Sequence, residues 1–132
     1  MTAGPLRIVL CDDVPELRTL MRFGVEEDGD MTVVGEAGEA QACVELVGRE
    51  QPDGILLDLS MPGIDGLQAI PLLRAAAPAM VIVVFSGFSA DRMEGLTREV
   101  GADRYVEKGA DMETVRAALR GAVADRAAAR GA

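Results

Sequence analysis

Five polar residues of this sequence could carry out chemistry together, although they lie far apart along the chain. Asp12, Asp13, Asp58, Ser86 and Lys108 each stand at the end of a short segment with the composition of a strand. Crowded carboxylates resist ionisation unless a cation neutralises them, and an all-oxygen ligand set suits Mg²⁺. An ammonium and a hydroxyl suit phosphoryl oxygens, and a carboxylate beside Mg²⁺ is a competent nucleophile. The set therefore predicts phosphoryl transfer onto an aspartate.

These residues need a fold that gathers the ends of several strands in one place. Five segments with apolar or β-branched residues predict strands, at 6–11, 32–37, 55–57, 81–85 and 104–107. After each strand, apolar residues at spacings of three and four predict a helix. This alternation predicts right-handed βαβ units and a parallel sheet covered on both faces, with sites at the carboxyl ends of the strands.

Local signals suggest where some of the helices begin and end. Ser89 and Asp111 are the expected N-caps of the fourth and fifth helices. Pro71 lies within the third helical pattern and is expected to bend that helix or delay its regular start. The fifth helix is expected to end near Val123, with the Ala- and Arg-rich residues that follow fraying.

Composition narrows the classes of protein to consider. A length of 132 residues favours one domain, and a net charge of −9 argues against direct contact with nucleic acid. No apolar run is long enough for a membrane span or a signal peptide, so a cytoplasmic location and no membrane partner are expected. The absence of histidine excludes histidine-based catalysis on this chain. Cys11 and Cys43 are expected to be buried free thiols rather than a disulfide.

Four groups of residues, in order and at these spacings, resemble the receiver domain of two-component response regulators. They are Leu10-Cys11-Asp12-Asp13, Asp58-Leu59-Ser60-Met61-Pro62-Gly63 with Asp65-Gly66, Phe85-Ser86-Gly87, and Gly101-Ala102-Asp103 ahead of Tyr105 and Lys108. The resemblance implies an α/β fold of flavodoxin-like type, a (βα)5 three-layer sandwich whose five-stranded parallel sheet has the order 2-1-3-4-5. It also implies an N-terminal tail at 1–5, a receiver domain at 6–124 and a C-terminal tail at 125–132.

The resemblance implies an acceptor and a metal site. Asp58 looks like the phosphoacceptor and would also ligate Mg²⁺. Asp13 would bind the metal directly, and Asp12 would bind it directly or through water. The backbone carbonyl of Ser60 would be a further ligand.

Other residues would grip the phosphoryl group and report its presence. Ser86 and Lys108 would contact phosphoryl oxygens, and Tyr105 stands where the family has an aromatic switch residue. Gly109 follows the lysine where the family usually has proline after a cis bond, which leaves the geometry of the Lys108–Gly109 peptide open. Phe88 stands where the family tunes access of the hydrolysing water, so an apolar residue there predicts slow autodephosphorylation.

The leading interpretation is a stand-alone signalling domain that acts through protein contacts and is not an enzyme beyond its own phosphorylation and dephosphorylation. A histidine kinase or histidine phosphotransfer protein would donate the phosphoryl group. The face made by the fourth helix, fifth strand and fifth helix would then change its affinity for an unidentified downstream protein, as a monomer or a phosphorylation-dependent dimer.

Three alternatives stay open. The chain could be the N-terminal receiver of a longer DNA-binding response regulator. It could be a receiver-like interaction domain that is never phosphorylated. It could also be a phosphohydrolase of aspartyl-phosphate type, although that chemistry usually places a second acid two residues after the nucleophile, where this chain has Ser60.

Overall fold

The computed structural model of the chain describes residues 4–61, 63 and 65–131. Three parts of the expectations lie outside the described residues: residues 1–3 of the N-terminal tail, Pro62 of the Pro62-Gly63 turn, and Ala132. The strands are β1 (Leu6–Cys11), β2 (Met31–Ala37), β3 (Gly54–Leu57), β4 (Val81–Ser86) and β5 (Arg104–Glu107). The helices are α1 (Pro15–Glu26), α2 (Ala40–Glu50), α3 (Gly66–Ala76), α4 (Ala90–Glu99) and α5 (Met112–Gly131).

All five strands belong to one parallel sheet of order β2-β1-β3-β4-β5, which confirms the expected topology. The chain turns from β1 outward to β2 and then crosses to β3 on the other side of β1, so the strand order reverses between β1 and β3. In parallel sheets this reversal opens a crevice at the carboxyl ends of the strands. Cys11 pairs in register with Leu57, so the residues that follow these two emerge side by side.

Each side of the sheet is covered by its own apolar layer. Side chains alternate along a strand, so Ile8 and Leu10 of β1 face one layer while Val9 faces the other. The first layer packs against α1 and α5, and the second against α2 and α3. β3 and β4 are buried along their whole length, as a continuous run of apolar residues predicts. The three-layer sandwich is therefore confirmed.

α4 is the least buried of the helices. Thr97 is its only buried residue, and Met93 packs partly buried against the second apolar layer. Leu96 is half exposed. A helix with so little buried surface has a low free energy of local opening.

Two expectations about helix starts need correction. Ser89 stands at the N-cap of α4, but its side chain makes no capping hydrogen bond. The carboxylate of Glu107 on β5 accepts instead from the backbone N–H of Ala90, at 3.1 Å. α3 starts regularly at Gly66, well before Pro71, because the Asp65 carboxylate caps it by accepting from the N–H of Leu67 at 2.8 Å. The expected Asp111 cap of α5 is present, with the Thr114 N–H donating at 2.9 Å.

The expectation that α5 frays after Val123 is wrong, because the helix continues to Gly131. Alanine and arginine have high helix propensity, which favours continuation. Two ion pairs also hold this stretch: Asp125 pairs with Arg104 of β5, and Arg126 Nε lies 3.1 Å from the Asp103 carboxylate. The proposed division of the chain at residue 124 stays a prediction.

The two cysteines form a disulfide, which corrects the expectation of free thiols. Cys11 ends β1 and Cys43 lies on α2, with both side chains fully buried and a Cα–Cα distance of 6.2 Å. Their separation of 32 residues carries no pairing signal. The contact arises because α2 packs over the sheet next to β1, which only the fold reveals.

No helix among the described residues is both long enough and apolar enough to cross a membrane.

Candidate functional site

Three carboxylates meet at the carboxyl ends of β1 and β3, as the sequence predicted. Asp12, Asp13 and Asp58 each offer an oxygen, and these oxygens lie within 4.8 Å of one another. The backbone places them there, because the Asp58 N–H donates to the carbonyl of Cys11 at 2.9 Å. Asp12 and Asp58 are buried, whereas Asp13 is exposed at the opening of the site.

Asp12 serves both the fold and the site. One of its carboxylate oxygens accepts from the N–H of Val14 at 2.9 Å, which shapes the turn into α1. The other lies 3.0 Å from the ammonium of Lys108. Its own backbone N–H donates to Ala37 of β2 at 3.1 Å. Asp12 is therefore fixed from three directions.

Lys108 is the cation that β5 brings to the acids. Its Nζ lies 3.0 Å from Asp12 and 3.5 Å from Asp58, so it bridges the two buried carboxylates. Burial acts to lower the pKa of Lys108, but the hydrogen bond to Asp12 and the charges of Asp58 and Asp12 outweigh it and raise the pKa. Lys108 is therefore a stable positive charge.

Asp58 has the buried setting expected of an acceptor. Burial raises the pKa of Asp58, and the Asp12 charge adds to this, while the N–H of Ser60 and the Lys108 ammonium act against it. The Ser60 N–H donates to one Asp58 oxygen at 3.1 Å, leaving the other oxygen toward Lys108. The site thus holds three carboxylates and one ammonium, which contacts two of them. This excess of negative oxygen ligands fits a hard divalent cation such as Mg²⁺.

Ser86 ends β4 and is fully buried. Its hydroxyl oxygen accepts from the N–H of Phe88 at 3.2 Å, which ties it to the β4–α4 connection rather than to the acids. Its backbone carbonyl accepts from the N–H of Lys108 at 2.7 Å. Ser86 and Lys108 are thus neighbours through the backbone.

The loop after Lys108 resolves the question about its peptide bond. No cis peptide bond occurs among the described residues, so the Lys108–Gly109 peptide is trans. Gly109 has a φ of +111°, a conformation that favours glycine. A Cβ at this position would meet nothing within 4 Å, so the backbone conformation alone explains the glycine.

The family model of the response regulator receiver domain matches residues 8–120. The chain belongs to this family.

Known proteins similar to this receiver domain support the assignment. The nitrate/nitrite response regulator protein NarL of Escherichia coli is 41% identical over 122 residues, covering 91% of this chain and 56% of NarL. The uncharacterized transcriptional regulatory protein YxjL of Bacillus subtilis is 34% identical over 127 residues, covering 92% of this chain and 57% of that protein. The receiver domain thus spans a little over half the length of these curated relatives.

Solved structures give the same result. A two-component response regulator of the LuxR family from Aurantimonas superposes with a TM-score of 0.87 at 30% identity, over 93% of this chain and 88% of the other. The signal receiver domain of the putative response regulator NarL from Mycobacterium tuberculosis gives a TM-score of 0.85 at 26% identity, over 92% and 98% of the two chains.

The predicted switch residue of the receiver domain faces away from the acids. The Tyr105 hydroxyl donates to the backbone carbonyl of Phe88 at 2.8 Å. The Phe88 side chain is 53% exposed and lines a groove that also borders Ser60 and Met93. Tyr105 and Ser86 therefore both hold Phe88 in the β4–α4 connection. Tyr105 binds the backbone carbonyl of Phe88, and Ser86 binds its N–H.

Sequence reasoning missed two residues of the receiver domain that touch this region. Glu107 caps α4 and directly precedes Lys108, and Arg18 donates to the backbone carbonyl of Asp12. Neither lies in a motif. Arg18 stands five residues after Asp13 in an ordinary helical pattern, and only the fold shows what its side chain reaches.

Proposed function

We propose that this receiver domain accepts a phosphoryl group on Asp58 from the phosphohistidine of a histidine kinase or a histidine phosphotransfer protein. The observation that carries the proposal is the Lys108 ammonium bridging two buried carboxylates, one of them at the end of β3, with a third carboxylate exposed beside them. A buried acid with a raised pKa, next to a fixed cation, is a common setting for chemistry.

The same residues would hold Mg²⁺. Asp12, Asp13 and Asp58 present the oxygens, and the backbone carbonyl of Ser60 would complete the protein ligands. Bound there, the metal would neutralise charge on the transferring phosphoryl group. Asp13 is the exposed member of the three, so it would be the first carboxylate that an entering cation meets.

The transfer itself needs little from the protein beyond position and charge. An oxygen of Asp58 forms the new bond to phosphorus while the phosphorus–nitrogen bond of the donor breaks, and its electron pair stays on the imidazole. Lys108 would turn from Asp12 toward a phosphoryl oxygen. Ser86 would donate its hydroxyl to another, giving up its bond to Phe88. The domain would promote only its own phosphorylation and dephosphorylation.

The output would pass through the β4–α4 connection. Once Ser86 moves toward the phosphate, the connection that it shares with Tyr105 is free to shift, and Tyr105 would turn inward. α4, β5 and α5 would then present a different face to an unidentified downstream protein, or to a second copy of this chain, by a population shift between two conformations. The weak burial of α4 makes such a shift inexpensive.

We propose a cytoplasmic location as well. Disulfides such as Cys11–Cys43 are uncommon in the reducing environment of the cytoplasm. Because both cysteines are buried, a thiol count on protein unfolded without reductant is an informative measurement.

The proposal is tested by incubating the protein with acetyl phosphate and Mg²⁺ and recording its intact mass. We expect one added phosphoryl group, lost in Asp58→Ala and retained in the matched variant Asp91→Ala, whose carboxylate is exposed on α4. No added mass, or an added mass that persists in Asp58→Ala, would remove the proposal. Turnover of a phosphomonoester would favour a phosphohydrolase instead.

We also propose, as a second candidate, that the chain serves as the receiver part of a longer transcriptional regulator. The observation that favours it is the span of 56% and 57% of the length of its relatives, one of which carries the name transcriptional regulatory protein. A reading frame that continues past Ala132 into a DNA-binding domain would support this candidate. A stop codon there would favour the stand-alone domain.

A further inference from the structure

We propose that Arg18 is a positioning residue for the metal-binding carboxylates, an inference that rests on the metal site of the proposed function. Its guanidinium donates from Nη1 to the backbone carbonyl of Asp12, and from Nε to the Glu36 carboxylate at 3.1 Å. The Arg18 side chain is mostly buried, so these two contacts fix it between α1 and β2.

The peptide that Arg18 holds is the one joining Asp12 to Asp13. Asp12 has further restraints, since its carboxylate accepts from Val14 and Lys108. Among the described residues no side chain or backbone group donates to the Asp13 carboxylate, so its direction depends on its own backbone. Arg18 therefore acts on the exposed metal ligand through the peptide that precedes it.

Gly38 closes the other side of the Arg18 guanidinium. A Cβ built on Gly38 would lie 3.1 Å from Arg18 Nη1 and 3.7 Å from the Asp12 carbonyl oxygen. The guanidinium thus fills the space between the Asp12 peptide and the β2–α2 connection. Gly38→Ala would crowd the same contact without removing a charge, which gives an independent way to disturb it.

The sign of the effect separates positioning from simple electrostatics. A positive charge close to a cation site repels the cation, so removing it would tighten Mg²⁺ binding if charge were all that mattered. The Glu36 carboxylate pairs with Arg18 and offsets that repulsion. If Arg18 acts by holding the Asp12–Asp13 peptide, its removal weakens Mg²⁺ binding instead.

Arg22 provides a matched control on the same helix. Its Nε donates to the same Glu36 carboxylate at 2.9 Å. The backbone carbonyl that Arg22 contacts is that of Val33, whereas Arg18 contacts that of Asp12. Arg22→Ala therefore removes a positive charge and a partner of Glu36 without releasing the Asp12–Asp13 peptide.

The experiment titrates Mg²⁺ into protein that has seen no phosphodonor, following the backbone amide NMR shifts of residues 12–14. We expect Arg18→Ala to raise the Mg²⁺ dissociation constant by about tenfold, the lower end of the range for groups that orient metal ligands. Arg22→Ala should leave it unchanged, and Arg18→Lys should fall between, because an ammonium reaches the Asp12 carbonyl but lacks the guanidinium fork for Glu36.

Several outcomes would overturn the inference. The inference is wrong if Arg18→Ala binds Mg²⁺ as tightly as the wild type or more tightly. It is also wrong if Arg22→Ala weakens Mg²⁺ binding as much as Arg18→Ala does. If Arg18→Ala fails to fold by its amide spectrum, Gly38→Ala takes its place and should weaken binding in the same direction. The titration does not measure phosphoryl transfer. A chain that binds Mg²⁺ but gains no phosphoryl group would therefore contradict the proposed function, and the Mg²⁺ titration would still test the role of Arg18.

Discussion

Tyr105 of β5 holds the β4–α4 connection through one hydrogen bond, from its hydroxyl to the backbone carbonyl of Phe88 at 2.8 Å. Ser86 also holds Phe88, because its hydroxyl oxygen accepts from the Phe88 N–H at 3.2 Å. The residue proposed to sense phosphate and the residue proposed to switch therefore share one tether. Changing either contact should change the mobility of the connection.

Tyr105→Phe removes the hydroxyl and keeps the ring. A net hydrogen bond contributes about 1 kcal/mol, so we expect amide hydrogen exchange at residues 87–89 to accelerate about fivefold. Exchange measured by NMR in the unphosphorylated protein gives the result. Unchanged protection at these amides would show that the hydroxyl does not hold the connection.

Glu107→Gln should loosen the start of α4, because the carboxylate accepts from the Ala90 N–H and also suits the positive end of the helix. Glutamine keeps an acceptor oxygen and loses only the charge, which contributes about 0.3–1 kcal/mol near a helix N-terminus, so the amides of the first turn should exchange faster. Glu99→Gln is the control, with the same charge change at the end of the same helix. Equal exchange in both variants would contradict a capping role.

Glu107 and Lys108 are consecutive, so the cap of α4 and the cation of the site share a peptide. A movement of Lys108 toward a phosphoryl oxygen would pull on the residue that caps α4. Together with Tyr105, this gives β5 two contacts through which the site can act on α4.

The sequence was sufficient where short-range signals decide the structure. Apolar β-branched runs such as 81–85 placed the buried strands, and their ends placed Asp58 and Ser86. Gly101 follows α4 with a φ of +123°, a backbone conformation that favours glycine after a helix. Sheet order came from resemblance, since periodicity alone does not order parallel strands.

The sequence was insufficient where partners are distant in the chain. Cys11 pairs with Cys43 only because α2 packs beside β1, and Glu107 replaces Ser89 as the cap because β5 lies next to the start of α4. Arg18 shows nothing in its own helix pattern of its contact with Asp12. These contacts depend on tertiary structure, which no local pattern reports.

Asp58→Asn should stabilise the protein at neutral pH in the absence of metal. Because the folded-state pKa of Asp58 is raised, the folded state holds its proton to higher pH than the unfolded state, and stability falls as pH rises through that window. Asparagine removes this penalty and leaves Lys108 paired with Asp12.

The gain should be about 0.5–2 kcal/mol, the usual size of a single stabilising substitution. Urea denaturation at pH 7 and at pH 3 measures it, and the difference between variant and wild type should shrink at the lower pH. Added Mg²⁺ should stabilise the wild type more than the variant. A variant less stable than the wild type at pH 7 would contradict the argument.

Reduction of the Cys11–Cys43 disulfide should destabilise the fold. Loop-closure entropy for a separation of 32 residues corresponds to about 3–4 kcal/mol. Urea denaturation with and without reductant measures the loss, and the variant Cys43→Ala should show no response to reductant. Two reactive thiols in protein unfolded without reductant would show that the bridge is absent.

Phe88→Glu should accelerate loss of the phosphoryl group from Asp58. The Phe88 ring is 53% exposed and lines the groove beside Ser60, so it is placed to limit water near the acceptor. A carboxylate there would hold and orient water, and a barrier lowered by about 1.4 kcal/mol gives a tenfold faster rate. Leu96→Glu is the control, because Leu96 is 50% exposed in an adjoining groove along α4 that Phe88 also lines. The decay of the phosphorylated mass after removal of the donor gives both rates, and equal rates in the two variants would show that Phe88 does not shield the phosphate.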